Sequence, residues 1–165
     1  MTSELPDDPY WKLRPLPPTP DDELCHCDHV GAVALCDTLG SNPIRCWECS
    51  GEVFPERLGF SAEIAESIAD WRSLHSSLYR LWLSSGEYES WARDCLLDAK
   101  GEMNCMGYDI VSELNAIPEI NAYYWYFVDT DSPTGEPTNC PKCSDELTEL
   151  PNGSHGRCER CRIIL

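Results

Sequence analysis

An α+β fold is predicted: a small helical core of about three helices carrying one aromatic strand, flanked by two cysteine-rich segments. Three observations predict it. Two Cys-x-x-Cys pairs, Cys140/Cys143 and Cys158/Cys161, stand fourteen residues apart near one end, and a second cysteine-rich stretch runs from Cys25 to Cys49. Between these, apolar residues recur at three- and four-residue steps from Ile64 to Leu114, the period of helices with one buried face. Ala122-Tyr123-Tyr124-Trp125-Tyr126-Phe127-Val128 then offers the aromatic and branched residues of a strand buried on at least one face.

Taken in order, residues 1–22 contain Pro6, Pro9, Pro15, Pro17, Pro18 and Pro20, which remove amide donors and favour extended chain. A Pro-rich arm without helix is expected, with Tyr10, Trp11 and Leu13 large enough to anchor it on the body. Residues 23–60 form the first cysteine-rich segment. Cys46-Trp47-Glu48-Cys49 reads as a knuckle, two thiolates on a tight turn, followed by Gly51, whose access to positive φ would aim amides at sulfur. Cys25 and Cys27 are the first choice for two further ligands, eighteen residues before Cys46; His26, His29 and Cys36 compete for the same role.

Residues 61–130 make the helical core. Ser61 is placed to cap the first helix, with Glu63 and Glu66 suiting the positive end of its dipole. Its stripe is Ile64, Ile68, Trp71, Leu74, Leu78, Leu81 and Trp82, and Ser84-Ser85-Gly86 ends it. A second helix turns Tyr88, Trp91, Ala92, Cys95, Leu96 and Ala99 inward and stops at Gly101; a third runs from about Gly107 to Ile117, with Ile110, Val111 and Leu114 inward. Cys95 reads as a small core residue and His75 as a half-buried helix residue, so no convincing nucleophile–base pair emerges.

Residues 136–165 read as a zinc ribbon. Two facing knuckles place Cys140, Cys143, Cys158 and Cys161 at the corners of a tetrahedron, the geometry Zn²⁺ accepts, and four thiolates leave no position for water or substrate. Such a metal holds a fold. Leu147 and Leu150 lead to a turn at Asn152-Gly153, and Ile163, Ile164 and Leu165 give a last short strand. With the first segment, two structural zinc ions are expected.

Composition narrows the setting. Eleven cysteines, an odd number, fit a closed disulfide framework poorly, and the opening residues lack the positive flank and apolar run of a secretory signal. No apolar run approaches the roughly 18 residues that span a bilayer. Reduced thiols binding zinc in the cytoplasm, without a membrane role, are expected. The formal net charge is −17, from 12 Lys and Arg against 29 Asp and Glu, and each four-thiolate zinc site adds about −2. Phosphate backbones are repelled by such a chain; a basic protein partner is attracted.

The chain resembles a bacterial family described as zinc-ribbon-containing, with nucleic-acid binding suggested and function not established. The residues that carry the resemblance are Pro43-Ile44-Arg45-Cys46-x-x-Cys49-x-Gly51-x-Val53, Ile68-x-x-Trp71, Gly86-Glu87, Gly107-x-Asp109-Ile110, Tyr123-Tyr124, Cys140-Pro-x-Cys143 and Cys158-x-x-Cys161-Arg162. They span roughly residues 36–165. The resemblance implies an architecture, a helical middle held between two cysteine-rich segments. The Pro-rich arm and the Cys25-His26-Cys27 cluster depart from the family pattern.

Three functions follow as expectations. The first is a non-enzymatic zinc-binding adaptor or inhibitor whose acidic or aromatic surface engages another protein. The second is nucleic-acid binding through Arg157, Arg160 and Arg162, three arginines in six residues beside the last knuckle, with Lys142 facing them across the ribbon. The third, an enzyme, requires a metal held by three ligands among Cys25, Cys27, His29, Cys46 and Cys49, with Glu48 or Asp28 as base.

Overall fold

The computed structural model describes residues 7–40, 42–131, 137–149 and 156–165. Leu150 and the expected turn at Asn152-Gly153 lie outside them. The architecture is α+β, as the sequence predicts, and the described residues form three α-helices against a six-stranded sheet.

The sheet joins what the sequence separates. Its strands are β1 (Val33–Leu35), β2 (Ile44–Cys46), β3 (Ala122–Trp125), β4 (Thr148–Glu149), β5 (Gly156–Cys158) and β6 (Ile163–Ile164), in the order β2-β1-β3-β6-β5-β4. The β1–β2 hairpin of the first cysteine-rich segment and the β4–β5–β6 meander of the ribbon are each antiparallel. The aromatic strand β3 lies between them, parallel to β1 on one side and to β6 on the other. Alternation along these strands sorts the two faces. Val33, Leu35, Ala122, Tyr124 and Ile163 join the main core, whereas Ala34, Tyr123 and Ile164 form a small second cluster with Ala32 and Trp47.

Ser61 caps α1 (Ala62–Ser84), its hydroxyl oxygen accepting from the Ile64 amide at 3.4 Å. Ala65, Ile68, Trp71, His75 and Leu78 are buried along it, and Trp71 meets Tyr124 edge-on with ring centroids 5.9 Å apart. Gly86, at φ +66°, makes the reversal into α2 (Glu89–Leu97). Only Ala92 and Leu96 of α2 are buried. Tyr88 and Trp91 are exposed, contrary to the expected stripe. In a helix this short the contact line with α1 runs through Ala92 and Leu96, and Trp91, about 100° round the axis from Ala92, falls outside it.

Helix α3 (Glu102–Asn115) starts five residues before the expected Gly107. Gly107 is an interior position, where a Cβ would stand 2.2 Å from the Tyr124 ring. The glycine lets helix and strand approach closely, at the expense of helix propensity. Ile110, Val111 and Leu114 are buried as expected, and Asn115 ties α3 to β3 by donating to the Ala122 carbonyl at 2.9 Å and accepting from its amide at 3.0 Å.

The arm is not free of helix: three-residue 3₁₀ turns occupy Trp11–Leu13 and Asp21–Glu23, short enough to fit between or after prolines. Leu13 is buried and Tyr10 donates to the Phe60 carbonyl at 2.7 Å, so these two anchor the arm while Trp11 stays largely exposed. Among the described residues no helix is long and apolar enough to cross a membrane.

Candidate metal centres

The first centre gathers Cys25, Cys27, Cys46 and Cys49, the favoured set, with sulfur atoms all within 4.8 Å of one another. Cys46 Sγ and Cys27 Sγ are 4.0 Å apart. A tetrahedral Zn²⁺ with bonds of about 2.3 Å sets sulfur–sulfur edges near 3.8 Å, so the spacing fits the ion. Cys46 ends β2, and the amides of Glu48 and Cys49 point back at its sulfur. Cys25 and Cys27 arrive on a segment that pairs with the chain beyond the knuckle: the Cys25 amide donates to the Glu52 carbonyl at 2.8 Å, and the Glu52 amide to the Glu23 carbonyl at 2.9 Å.

Gly51 works differently from expectation. The positive φ belongs to Ser50 (60°), while Gly51 permits close approach, since a Cβ there would stand 2.7 Å from the Cys25 nitrogen. Arg57, which nothing in the sequence links to this centre, donates to the Cys25 carbonyl at 2.8 Å and to the Cys27 carbonyl. Nearby, the buried Glu52 accepts from Asn42 Nδ2 at 3.0 Å and from Thr19.

The second centre gathers Cys140, Cys143, Cys158 and Cys161, again within 4.8 Å, with Cys143 and Cys158 sulfurs 3.7 Å apart. Amides of Lys142 and Cys143 point at Cys140, and the Cys161 amide lies 3.4 Å from Cys158 Sγ. Ser144 (φ 65°) and Arg162 (φ 55°) follow their knuckles as Ser50 follows the first, so all three Cys-x-x-Cys turns close on a left-handed residue that is not glycine. Each cluster fits one structural zinc ion.

Thiols this close do not ionise independently. Burial resists ionisation of Cys25, yet the Cys27 amide and the Cys46 and Cys49 thiols bring it down to about 7. Cys27 is pushed up to about 12 by the Cys49 and Cys25 thiols. In the second cluster burial and the neighbouring thiols raise Cys161. Four such thiols release all their protons only against a dication, which couples zinc entry to proton release.

The competing ligands stand elsewhere. His26 is exposed with Nε2 2.7 Å from the Asp21 carbonyl, His29 is exposed, and Cys36, whose thiol burial pushes up to about 11, belongs to neither cluster. The arginines are brought to one region but are bound to carboxylates. Arg157 lies 2.6 Å from Glu159, Arg162 lies 3.5 Å from the same residue and donates to the Tyr123 hydroxyl at 2.8 Å, and Arg160 lies 3.3 Å from Asp145. Lys142 does not join them: its ammonium sits 4.2 Å from the centroid of the Tyr108 ring on α3.

His75 is buried, not half-buried, and its Nδ1 lies 3.1 Å from Asp37 Oδ2. The Asp37 side chain is wholly enclosed; Ser76 and the Leu39 amide donate to it, and Arg72 stands at 4.0 Å. Burial alone would raise the Asp37 pKa, but the bonds from His75, Ser76 and Leu39 outweigh it and hold the carboxyl below its ordinary value. The cluster fastens the β1–β2 connection to α1. No family model, curated protein or solved structure matches the chain, so the reading of these centres as two Cys₄ sites fitting structural zinc rests on the residues themselves.

Proposed function

We propose that the protein is a non-enzymatic, zinc-stapled interaction module that uses its acidic surface to engage a basic protein partner as an adaptor or inhibitor. The observation that carries this reading is the balance of charge. The formal net charge is −17, and the three arginines of the ribbon rim are each within 4 Å of a carboxylate. A field of that sign steers basic surfaces toward the molecule and speeds their association. Two all-cysteine centres support a scaffold role, because a filled thiolate shell offers no open position for Lewis-acid chemistry.

The test is retention on the immobilised zinc-loaded protein from a lysate of its own source cells, at low and at physiological salt. Basic proteins that elute as salt rises are the expected result. Retention of no protein at either salt overturns the reading.

Nucleic-acid binding is the second reading, favoured by one arrangement: Arg157 and Arg162 stand 5.7 and 5.1 Å from the Tyr123 ring, near the half-open Trp125. Tyr123 itself is only 4 % exposed and both arginines share Glu159, which weakens it as a stacking platform. Electrophoretic shift with single- and double-stranded DNA and RNA at low salt separates the two; a shift with any of them favours this second reading.

A further inference from the structure

The two zinc centres differ in what can reach their sulfur atoms. At the first, Cys49 is exposed and Cys27 half-buried, whereas Cys25 and Cys46 are 7 and 2 % exposed. An open cleft of about 470 Å³ runs against the accessible pair: Cys27 and Cys49 line it, with His26, Arg45 and Ser50 around them. A water molecule occupies roughly 30 Å³ in the liquid, so a small solute has room to meet both thiols. The two are also neighbours, since all four sulfurs lie within 4.8 Å of one another and Cys49 is the thiol that bears most strongly on Cys27. At the second centre Cys140 and Cys158 are buried, and neither Cys143 nor Cys161 is exposed.

A thiolate held by zinc keeps a lone pair for an electrophile, and reactivity toward oxidants follows thiolate character and access. The first centre supplies what a two-electron oxidation needs: an accessible thiolate, Cys49, and a second on the same cleft, Cys27, to resolve it. In the first step the Cys49 sulfur attacks hydrogen peroxide; an S–O bond forms as the O–O bond breaks, and the departing hydroxide takes a proton from solvent. In the second the Cys27 sulfur displaces that oxygen; an S–S bond forms as the S–O bond breaks, and a second hydroxide leaves and is protonated. The sulfurs lose two electrons and the peroxide gains them, giving one disulfide and two waters. With two of its four thiolates joined to each other the centre no longer holds Zn²⁺, and Cys25 and Cys46 each take up a proton.

We propose that the first centre is a peroxide-sensitive switch, in which Cys49 and Cys27 form a disulfide and release zinc while the second centre keeps its ion. The proposal goes beyond the partner binding described above and does not depend on it. Two features make the change reversible. The disulfide joins the same two stretches of chain that the metal joins, residues 25–27 and 46–49, and the backbone bonds that pair Cys25 with Glu52 and Glu52 with Glu23 lie outside it. Cys25 and Cys46 stay buried in the core, shielded from further oxidation and available to take the metal again.

The test adds hydrogen peroxide to the zinc-loaded full chain and follows zinc with a colorimetric chelator and native mass spectrometry, and crosslinks by non-reducing peptide mapping with fragmentation. One zinc ion is expected to leave severalfold faster than the other, with Cys27–Cys49 as the first disulfide, and a dithiol reductant with added zinc is expected to restore it. Cys49→His keeps four zinc ligands but removes the attacking thiol, and is expected to slow that release severalfold. Cys161→His, the matching change at the second centre, is expected to leave it unchanged. If Cys49→His does not hold its ion, the order of release and the first crosslink in the native chain carry the test. Loss of both ions in step, a first crosslink other than Cys27–Cys49, or release from Cys49→His at the native rate overturns the proposal. So does retention of both ions at a peroxide concentration that oxidises the exposed Cys105.

Discussion

The two zinc centres share ligand chemistry and differ in how they are embedded. The first is threaded through the core: Cys25 and Cys46 are buried beside Val33, Ile44 and Val53, Arg57 holds the carbonyls of Cys25 and Cys27, and Asp37 fastens the hairpin to α1. Yet it keeps one ligand, Cys49, exposed, next to a surface cleft lined by Asp22, Glu23, His26 and Arg45. The second sits on the β4–β5–β6 meander, with Cys140 and Cys158 buried in the same core; it has no exposed ligand, and Lys142 beside its first knuckle lies on Tyr108 of α3. Each centre buries two of its four cysteines in the same core, so the difference lies in the side-chain fastenings around the first and in the one ligand, Cys49, that it leaves exposed.

The largest effect expected from this contrast comes from ligand removal. Native mass spectrometry should show two zinc ions on the native chain. Cys46→Ser should lose one ion together with cooperative unfolding, since structural zinc supplies about 10 kcal/mol or more of apparent binding energy. Cys143→Ser should lose the other while more of the α-helical circular dichroism survives. Equal loss of helix in both variants would break the contrast.

Next is the fastening of the first centre to α1. Asp37→Asn should lower stability by about 3 kcal/mol, because it leaves buried partners without their counter-charge. The sign of its pH dependence follows from a folded pKa below the ordinary 3.8: the contribution is present above that value and is lost as pH falls through the folded pKa. The native–variant difference in urea unfolding should therefore shrink as pH is lowered below 3.8 through the folded value, and a difference unchanged down to about pH 2 would refute this account. Arg57→Ala, which strips donors from two carbonyls at the first centre, should lower stability by about 1–2 kcal/mol. Lys142→Ala, the counterpart at the second, should lower it by about 1 kcal/mol or less. Smallest in energy but most selective is reactivity: under limiting alkylation of the zinc-loaded protein, Cys49 should be the first ligand labelled, read by peptide mapping.

How far the sequence carried these centres depends on how local each signal is. The four ligands of the ribbon and the four of the first centre were legible because spacing reports a turn that brings thiolates together. The caps of α1 and the inward stripe of α3 were legible for the same reason. Arg57, Asp37 and Glu52 were not, since each meets its partner across a long separation that no periodicity encodes. The misplacement of Tyr88 and Trp91 has another origin: three- and four-residue recurrence says that a helix has a stripe but not where a nine-residue helix centres it. The sequence makes Gly51 a source of positive φ and Gly107 the start of a helix, whereas both are there for the space they leave. The left-handed residues closing the knuckles are Ser50, Ser144 and Arg162, a conformation imposed by the metal turn on residues whose own preference is different.

The position of β3 bears on how the chain is made as well as on how it stands. The β1–β2 hairpin leaves the ribosome with its zinc ligands complete, but the edge of β1 has no neighbour until Ala122–Trp125 is synthesised, and β3 in turn waits for Ile163–Ile164, some forty residues later. Both of those pairings are parallel, the kind that joins distant segments and forms slowly. A nascent or truncated chain that stops short of β3 carries a metal-stiffened hairpin with an unpaired apolar edge, a template for a neighbouring chain. Zinc supply early in synthesis, before the closing strand exists, would organise that edge and expose it at once.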